Sequence, residues 1–143
     1  MKVLGFLGLV LLLVSIKFSA TSAAAGYTPK SGQPGKDVVW VPNPDVMVQK
    51  MLDMAQVTPE DYVFDLGSGD GRNVIAAAKR GAHAHGIEYD AELVELSKRL
   101  AAKAGVGDRA TFEQGDVFVA DFSKASVVSS PACNSFNPQA RGG

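Results

Sequence analysis

Three acidic residues stand at or just beyond the ends of successive short apolar runs, and the first opens onto a loop with little side-chain bulk. The run Tyr62 to Leu66 contains Asp65 and passes directly into Gly67-Ser68-Gly69-Asp70-Gly71-Arg72. Glycines in such a loop reach positive φ angles cheaply and let a ligand approach the backbone without meeting a Cβ. The run Ala84 to Tyr89 carries Glu88, a little over twenty residues beyond Asp65, and the run Ala110 to Gln114 is followed by Gly115-Asp116. A carboxylate in the position of Glu88 can accept both hydroxyl protons of a ribose. Asp116 can accept from an adenine amino group, with Val117 or Phe118 over the ring's face.

The spacing and the charge select the ligand. A dinucleotide fingerprint reads G-x-G-x-x-G and seats a pyrophosphate at a helix N-terminus. Here the third glycine comes one residue early, and Asp65 and Asp70 put negative charge beside the loop. That charge repels a pyrophosphate and favours a ligand carrying positive charge. S-adenosylmethionine fits this description: it has a sulfonium, an ammonium and no phosphate. A nicotinamide-dependent oxidoreductase is the weaker alternative, because its fingerprint is missing.

The elements that must hold these residues follow from periodicity. Strands are expected at Tyr62 to Leu66, Ala84 to Tyr89 and Ala110 to Gln114, with a fourth beginning at Ser126 to Val128. Helices are expected at Gly71 to Arg80 and Ala91 to Ala104, each closed by a glycine, Gly81 and Gly105. This alternation predicts an α/β fold: an incomplete parallel sheet of three to four strands, with right-handed crossovers and helices on both faces. An earlier helix is expected after Asn43-Pro44-Asp45, with Asn43 as N-cap and Val46, Met47, Met51, Leu52, Met54 and Ala55 as its buried face. Thr58 to Asp61 then forms a turn.

Composition bounds the rest. A chain of 143 residues, 46% hydrophobic and 20% charged, has room for one globular core. A formal net charge of -1 gives no basic field for a phosphate backbone, so nucleic acid is not expected as a partner. One cysteine, Cys133, excludes an intrachain disulfide, and His83 and His85 lack a third ligand for a metal.

Lys2, the apolar run Val3 to Ile16 and the small residues Ser19 to Ala25 have the order of a signal peptide. The run covers about 21 Å as a helix against a hydrocarbon core of about 30 Å. Export to the periplasm or medium is expected, the alternative being an uncleaved membrane anchor through residues 3–25. The expected organisation is a signal or anchor at 1–25, a linker at 26–37, a folded part at 38–128 and a disordered or frameshifted tail at 129–143.

Asp65 to Arg72, Gly86 to Tyr89 and Gln114 to Asp116 resemble motif I, the following ribose-binding acid and the adenine-binding acid of class I S-adenosylmethionine-dependent methyltransferases. With Val41-Pro42-Asn43-Pro44 upstream, the string is similar to a bacterial group and to lysine methyltransferases with short N-terminal membrane segments. The resemblance covers roughly 38–128 and implies a Rossmann-like fold. It implies S-adenosylmethionine as cofactor, contacted by Asp65, Gly67, Ser68, Gly69, Gly71, Glu88, Tyr89, Asp116 and Val117. The acceptor it implies is a protein lysine or a small molecule, and no catalytic residue is assigned. Two departures stand out: Asn43 where that group has Thr, and Asn73 where it has Ile.

A full domain of that class has seven strands, which predicts a frameshift or premature end near Ser129. Codons for Ser129 to Asn134 can be read in another frame as Phe-Pro-Gly-Leu-Gln. An inactive remnant or binding module is therefore the alternative to an active methyltransferase.

Overall fold

A computed structural model describes residues 26–30 and 41–130. The apolar run Val3 to Ile16, most of the linker, Trp40, Cys133 and the tail from 131 lie outside the described residues.

The order of elements is α1 (Asp45–Met54), β1 (Tyr62–Leu66), α2 (Arg72–Lys79), β2 (His83–Glu88), α3 (Ala91–Lys103), β3 (Ala110–Gln114) and β4 (Val127–Ser129). All pairings are parallel and the strand order is β3-β2-β1-β4. Strand order reverses direction between β1 and β4, and the crevice outside the carboxyl ends of strands at such a point is where open α/β sheets bind ligands. β1 and β3 have the predicted limits, and the other elements shift by a residue or two, as helix and strand ends commonly do. Gly81 and Gly105 close their helices at φ +93° and +72°.

One core joins the sheet to the helices. Val63, Ala84, Ala110, Phe112 and Val127 meet Val48 and Leu52 of α1, Val74 and Ala77 of α2, and Val94 and Ala101 of α3. The alternate strand residues Phe64 and Ile87 point the other way and pack with Ala125, Val117 and Val128. Among the described residues the helices thus lie on one face only, where two faces were expected. The reason is the direction of winding: β1 to β2 to β3 steps one way, and right-handed crossovers taken in one direction leave their helices on the same side.

α1 departs from expectation in two further respects. Pro44 occupies the N-cap without a side-chain cap, its carbonyl accepting from the amides of Met47 at 2.9 Å and Val48 at 3.1 Å. The buried stripe is Val48, Leu52 and Ala55, while Val46 and Met54 are 78% and 64% exposed and Met47 is also exposed. A stripe at i, i+4, i+7 is all that this three-turn helix can lay against the sheet, and the residues on either side fall outside it.

Candidate functional site

The glycine loop is fixed by its own backbone geometry and by β2. Gly67, Gly69 and Gly71 have φ of +78°, +57° and +77°. The amides of Gly67 and Ser68 both donate to the Ile87 carbonyl, at 2.8 and 2.9 Å. Gly71 allows no side chain: besides its left-handed φ, a Cβ would lie 2.7 Å from the Phe112 ring and 2.8 Å from Ser97 Cβ. Ser97, wholly buried in α3, donates its hydroxyl to the Gly69 carbonyl at 3.1 Å. Beneath the loop, a Cβ on Gly86 would come within 2.6 Å of the Ser68 side chain, so β2 must be bare where the loop rests on it.

Glu88 braces the same loop from the strand tip. One carboxylate oxygen accepts from the Gly69 amide at 2.9 Å, the other from the Asp90 amide at 3.0 Å. Each oxygen keeps a lone pair for a further donor, so the acid is oriented by the protein and still able to receive a ligand's hydroxyls.

Asp65 is wholly buried at the end of β1. Ser129 Oγ donates to its Oδ1, and its Oδ2 has no hydrogen-bond partner. Burial raises its pKa to about 6; the Ser129 hydrogen bond and the neighbouring Asn73 amide oppose the rise, and the charges of Glu88 and Asp70 add to it. Ser68 Oγ and Asn73 Oδ1 are likewise buried and unpartnered, so three oxygens on one side of the loop await donors. Buried oxygens are normally satisfied by protein, water or ligand.

Asp70 is a different case from the one its charge implied. Its carboxylate is gripped by Arg72 through Nε at 2.9 Å and Nη2 at 2.6 Å, and Arg72 Nη1 donates to the Asn43 carbonyl at 2.6 Å. Its charge is therefore offset, and the loop's negative field comes from Asp65 and Glu88. The pair instead ties the loop to the approach of α1.

The remaining predicted residues form an exposed rim. The Tyr89 side chain is solvent-exposed, and its carbonyl accepts from Gln114 Nε2 at 3.2 Å. Asp116 is exposed, with Oδ1 accepting from the Phe118 amide at 2.9 Å. Val117 is half-buried against the cluster of Phe64 and Ile87, and Phe118 is 93% exposed.

Sequence reasoning missed Gly86, Ser97 and Ser129. A polar residue among the buried positions Leu93, Val94 and Ala101 marks Ser97 in retrospect. Ser129 carries no such signal: its strand is three residues long and polar residues follow it, which is why composition assigned it to the tail. Among the described residues no group of three His, Cys, Asp or Glu side chains is arranged to hold a metal, and no helix is long and apolar enough to cross a membrane. His85 instead bonds Thr111 through Nδ1 at 2.8 Å, with Glu113 3.7 Å from Nε2.

The arrangement has close counterparts. The family model of the ANTKMT methyltransferase domain matches residues 65–141. A protein-lysine N-methyltransferase of Saccharolobus islandicus is 41% identical over 93 residues, which are 64% of this chain and 58% of that protein. A human lysine N-methyltransferase whose target is the ATP synthase is 38% identical over 89 residues, covering 62% of this chain and 38% of that one. The crystal structure of an RNA methyltransferase from Salinibacter ruber in complex with S-adenosyl-L-homocysteine superposes with a TM-score of 0.62 at 48% identity, over 63% of this chain and 60% of that one. The chain thus spans less than two thirds of the length of these relatives.

Proposed function

Because the chain belongs to the ANTKMT methyltransferase domain family, within the class I S-adenosylmethionine-dependent methyltransferases, we propose that it takes part in moving a methyl group from S-adenosylmethionine to a lysine amino group of a protein. The observation that carries the cofactor half of this reading is the loop itself: a phosphate-free cradle whose flanking charge is the carboxylates of Asp65 and Glu88. The unpartnered Asp65 Oδ2 suits a ligand ammonium, the free lone pairs of Glu88 suit the ribose hydroxyls, and Asp116 suits the adenine amino group. Gly67, Ser68, Gly69 and Gly71 supply the close backbone, with Tyr89 and Val117 at the rim.

When bound, the cofactor supplies a methyl group activated by its positive sulfur. The chain's own contribution is positional. In-line displacement gains its rate from holding the reacting atoms aligned, so a loop braced by Glu88, Ser97 and Arg72 matters more than any proton transfer assigned to it. A lysine acceptor has to arrive as the free amine, because only that form has the lone pair to attack.

A protein acceptor is supported by the relatives that methylate lysine and by the absence of a basic field. Calorimetry with S-adenosylhomocysteine tests the pocket, with binding expected for the full chain and lost by more than tenfold in Glu88→Gln. Transfer of labelled methyl from S-adenosylmethionine to lysine peptides, with RNA as the comparison, tests the acceptor class. Binding without transfer to either would make the chain a cofactor-binding module. For the apolar run Val3 to Ile16 the proposed role is export, with an uncleaved anchor as the alternative. N-terminal sequencing of the mature protein separates the two.

A further inference from the structure

We propose that Ser129, the last residue of β4, is a positioning residue for the cofactor: its hydroxyl orients the Asp65 carboxylate so that Oδ2 is left facing the ligand's ammonium. The inference rests on the reading of the loop as a cofactor cradle.

The geometry begins in the sheet. β4 runs parallel to β1 with Ser129 opposite Asp65, so both side chains leave the sheet on the helix side. The Ser129 hydroxyl donates to Oδ1, a contact between residues 64 positions apart that exists only because β4 has crossed to the far side of β1. A carboxylate held by one oxygen has its plane fixed. The other oxygen then points where the protein aims it, and here it meets no protein donor. Asp65 is wholly buried, so bulk water does not compete for that oxygen.

The same hydrogen bond keeps Asp65 charged. The charged groups facing it are Glu88 from β2 and Asp70 from the loop, the latter paired with Arg72 of α2. The polar neighbours are Ser129 of β4 and Asn73 of α2, while α1 contributes Val48, Met51 and Leu52 to this region. Burial and the two acids all favour the protonated acid, and Ser129 is the larger of the two side-chain influences that oppose them. Removing its hydroxyl therefore discharges the acid at higher pH and weakens its hold on a cation.

Two readouts on the full chain test this. The carbon-13 shift of the Asp65 carboxyl, followed against pH without ligand, is expected to titrate near pH 6 in the wild type. It should move up by about one pH unit in Ser129→Ala, the size expected for loss of a hydrogen bond to a charged group, and stay near the wild-type value in Ser129→Thr. S-adenosylhomocysteine affinity in Ser129→Ala should fall about 3- to 10-fold at pH 6.5 and return toward wild type at pH 8.5.

An unmoved Asp65 midpoint, or an equal loss of affinity at every pH, overturns the proposal. Ser129→Cys, nearly the same shape with a weaker donor, is expected to titrate between wild type and Ser129→Ala, and it decides the matter if circular dichroism finds Ser129→Ala unfolded. Absence of binding by the wild type at any pH rejects the cofactor reading instead. The carboxyl titration still judges Ser129.

Discussion

Asp65 holds a charge where folding alone would leave none. Its pKa of about 6 lies above the ordinary value of 3.8 because burial penalises the ionised form. Between those two pH values the native state keeps a proton that the unfolded chain has lost, so stability is highest below pH 3.8 and falls as pH rises through 6. The two-unit difference corresponds to about 3 kcal/mol. Asp65→Asn is expected to raise the unfolding free energy by about 1–3 kcal/mol at pH 7 to 8, with no gain below pH 4, while abolishing S-adenosylhomocysteine binding. Urea denaturation at several pH values, read as variant minus wild type, checks this and cancels the separate titration of His85, whose pKa burial lowers. Ligand sites commonly sit at some expense to stability. Gly86 is the opposite kind of residue, required for shape alone: Gly86→Ala should destabilise by about 1–3 kcal/mol, because its Cβ would meet Ser68 at 2.6 Å and Val74 at 3.0 Å. It should also weaken ligand binding by lifting the loop. Thermal unfolding and calorimetry measure the two effects.

At the scale of elements, α1 is joined to the sheet by a narrow apolar stripe and by Arg72. Leu52→Ala empties the middle of that stripe and should cost about 2–4 kcal/mol, visible as a lower denaturation midpoint at unchanged slope. Arg72→Met should cost about 1–3 kcal/mol, because it leaves the mostly buried Asp70 without its partner. The double variant Asp70→Asn with Arg72→Met is expected to recover part of that loss, and a double-mutant cycle in urea measures the coupling. The stripe on α1 also shows how periodicity misleads in a short helix. Val46, Met47 and Met54 have the right type for a core but the wrong azimuth, and only the docking of α1 on Val63 and Val127 selects Val48, Leu52 and Ala55.

For the molecule as a whole, the parallel order β3-β2-β1-β4 concentrates stability in the middle of the sheet. β1 is hydrogen-bonded on both sides and packed on both faces, whereas β3 and β4 each have one neighbour among the described residues. Native-state hydrogen exchange should therefore be slowest at Val63, Phe64 and Asp65 and faster by orders of magnitude in β3. Equal protection across β1 and β3 would contradict a sheet with this centre. The same order brings together acids that are far apart in sequence, since each strand's carboxyl end lies at one edge and the loop after β1 sits between β2 and β4.

The sequence by itself determined the alternation of strands and helices, the glycine loop and the acids at the strand tips. Each of these is a local matter: apolar period, a left-handed φ, a residue type at the end of a run. Strand limits at Tyr62–Leu66 and Ala110–Gln114 and the cap glycines Gly81 and Gly105 were legible for that reason. Only the tertiary structure decided that Arg72 silences Asp70, that the helices share one face, and that Ser129 belongs to a strand and meets Asp65. Those facts depend on which segments become neighbours across the sheet. Pairing between residues 64 positions apart leaves no mark on either segment's own composition.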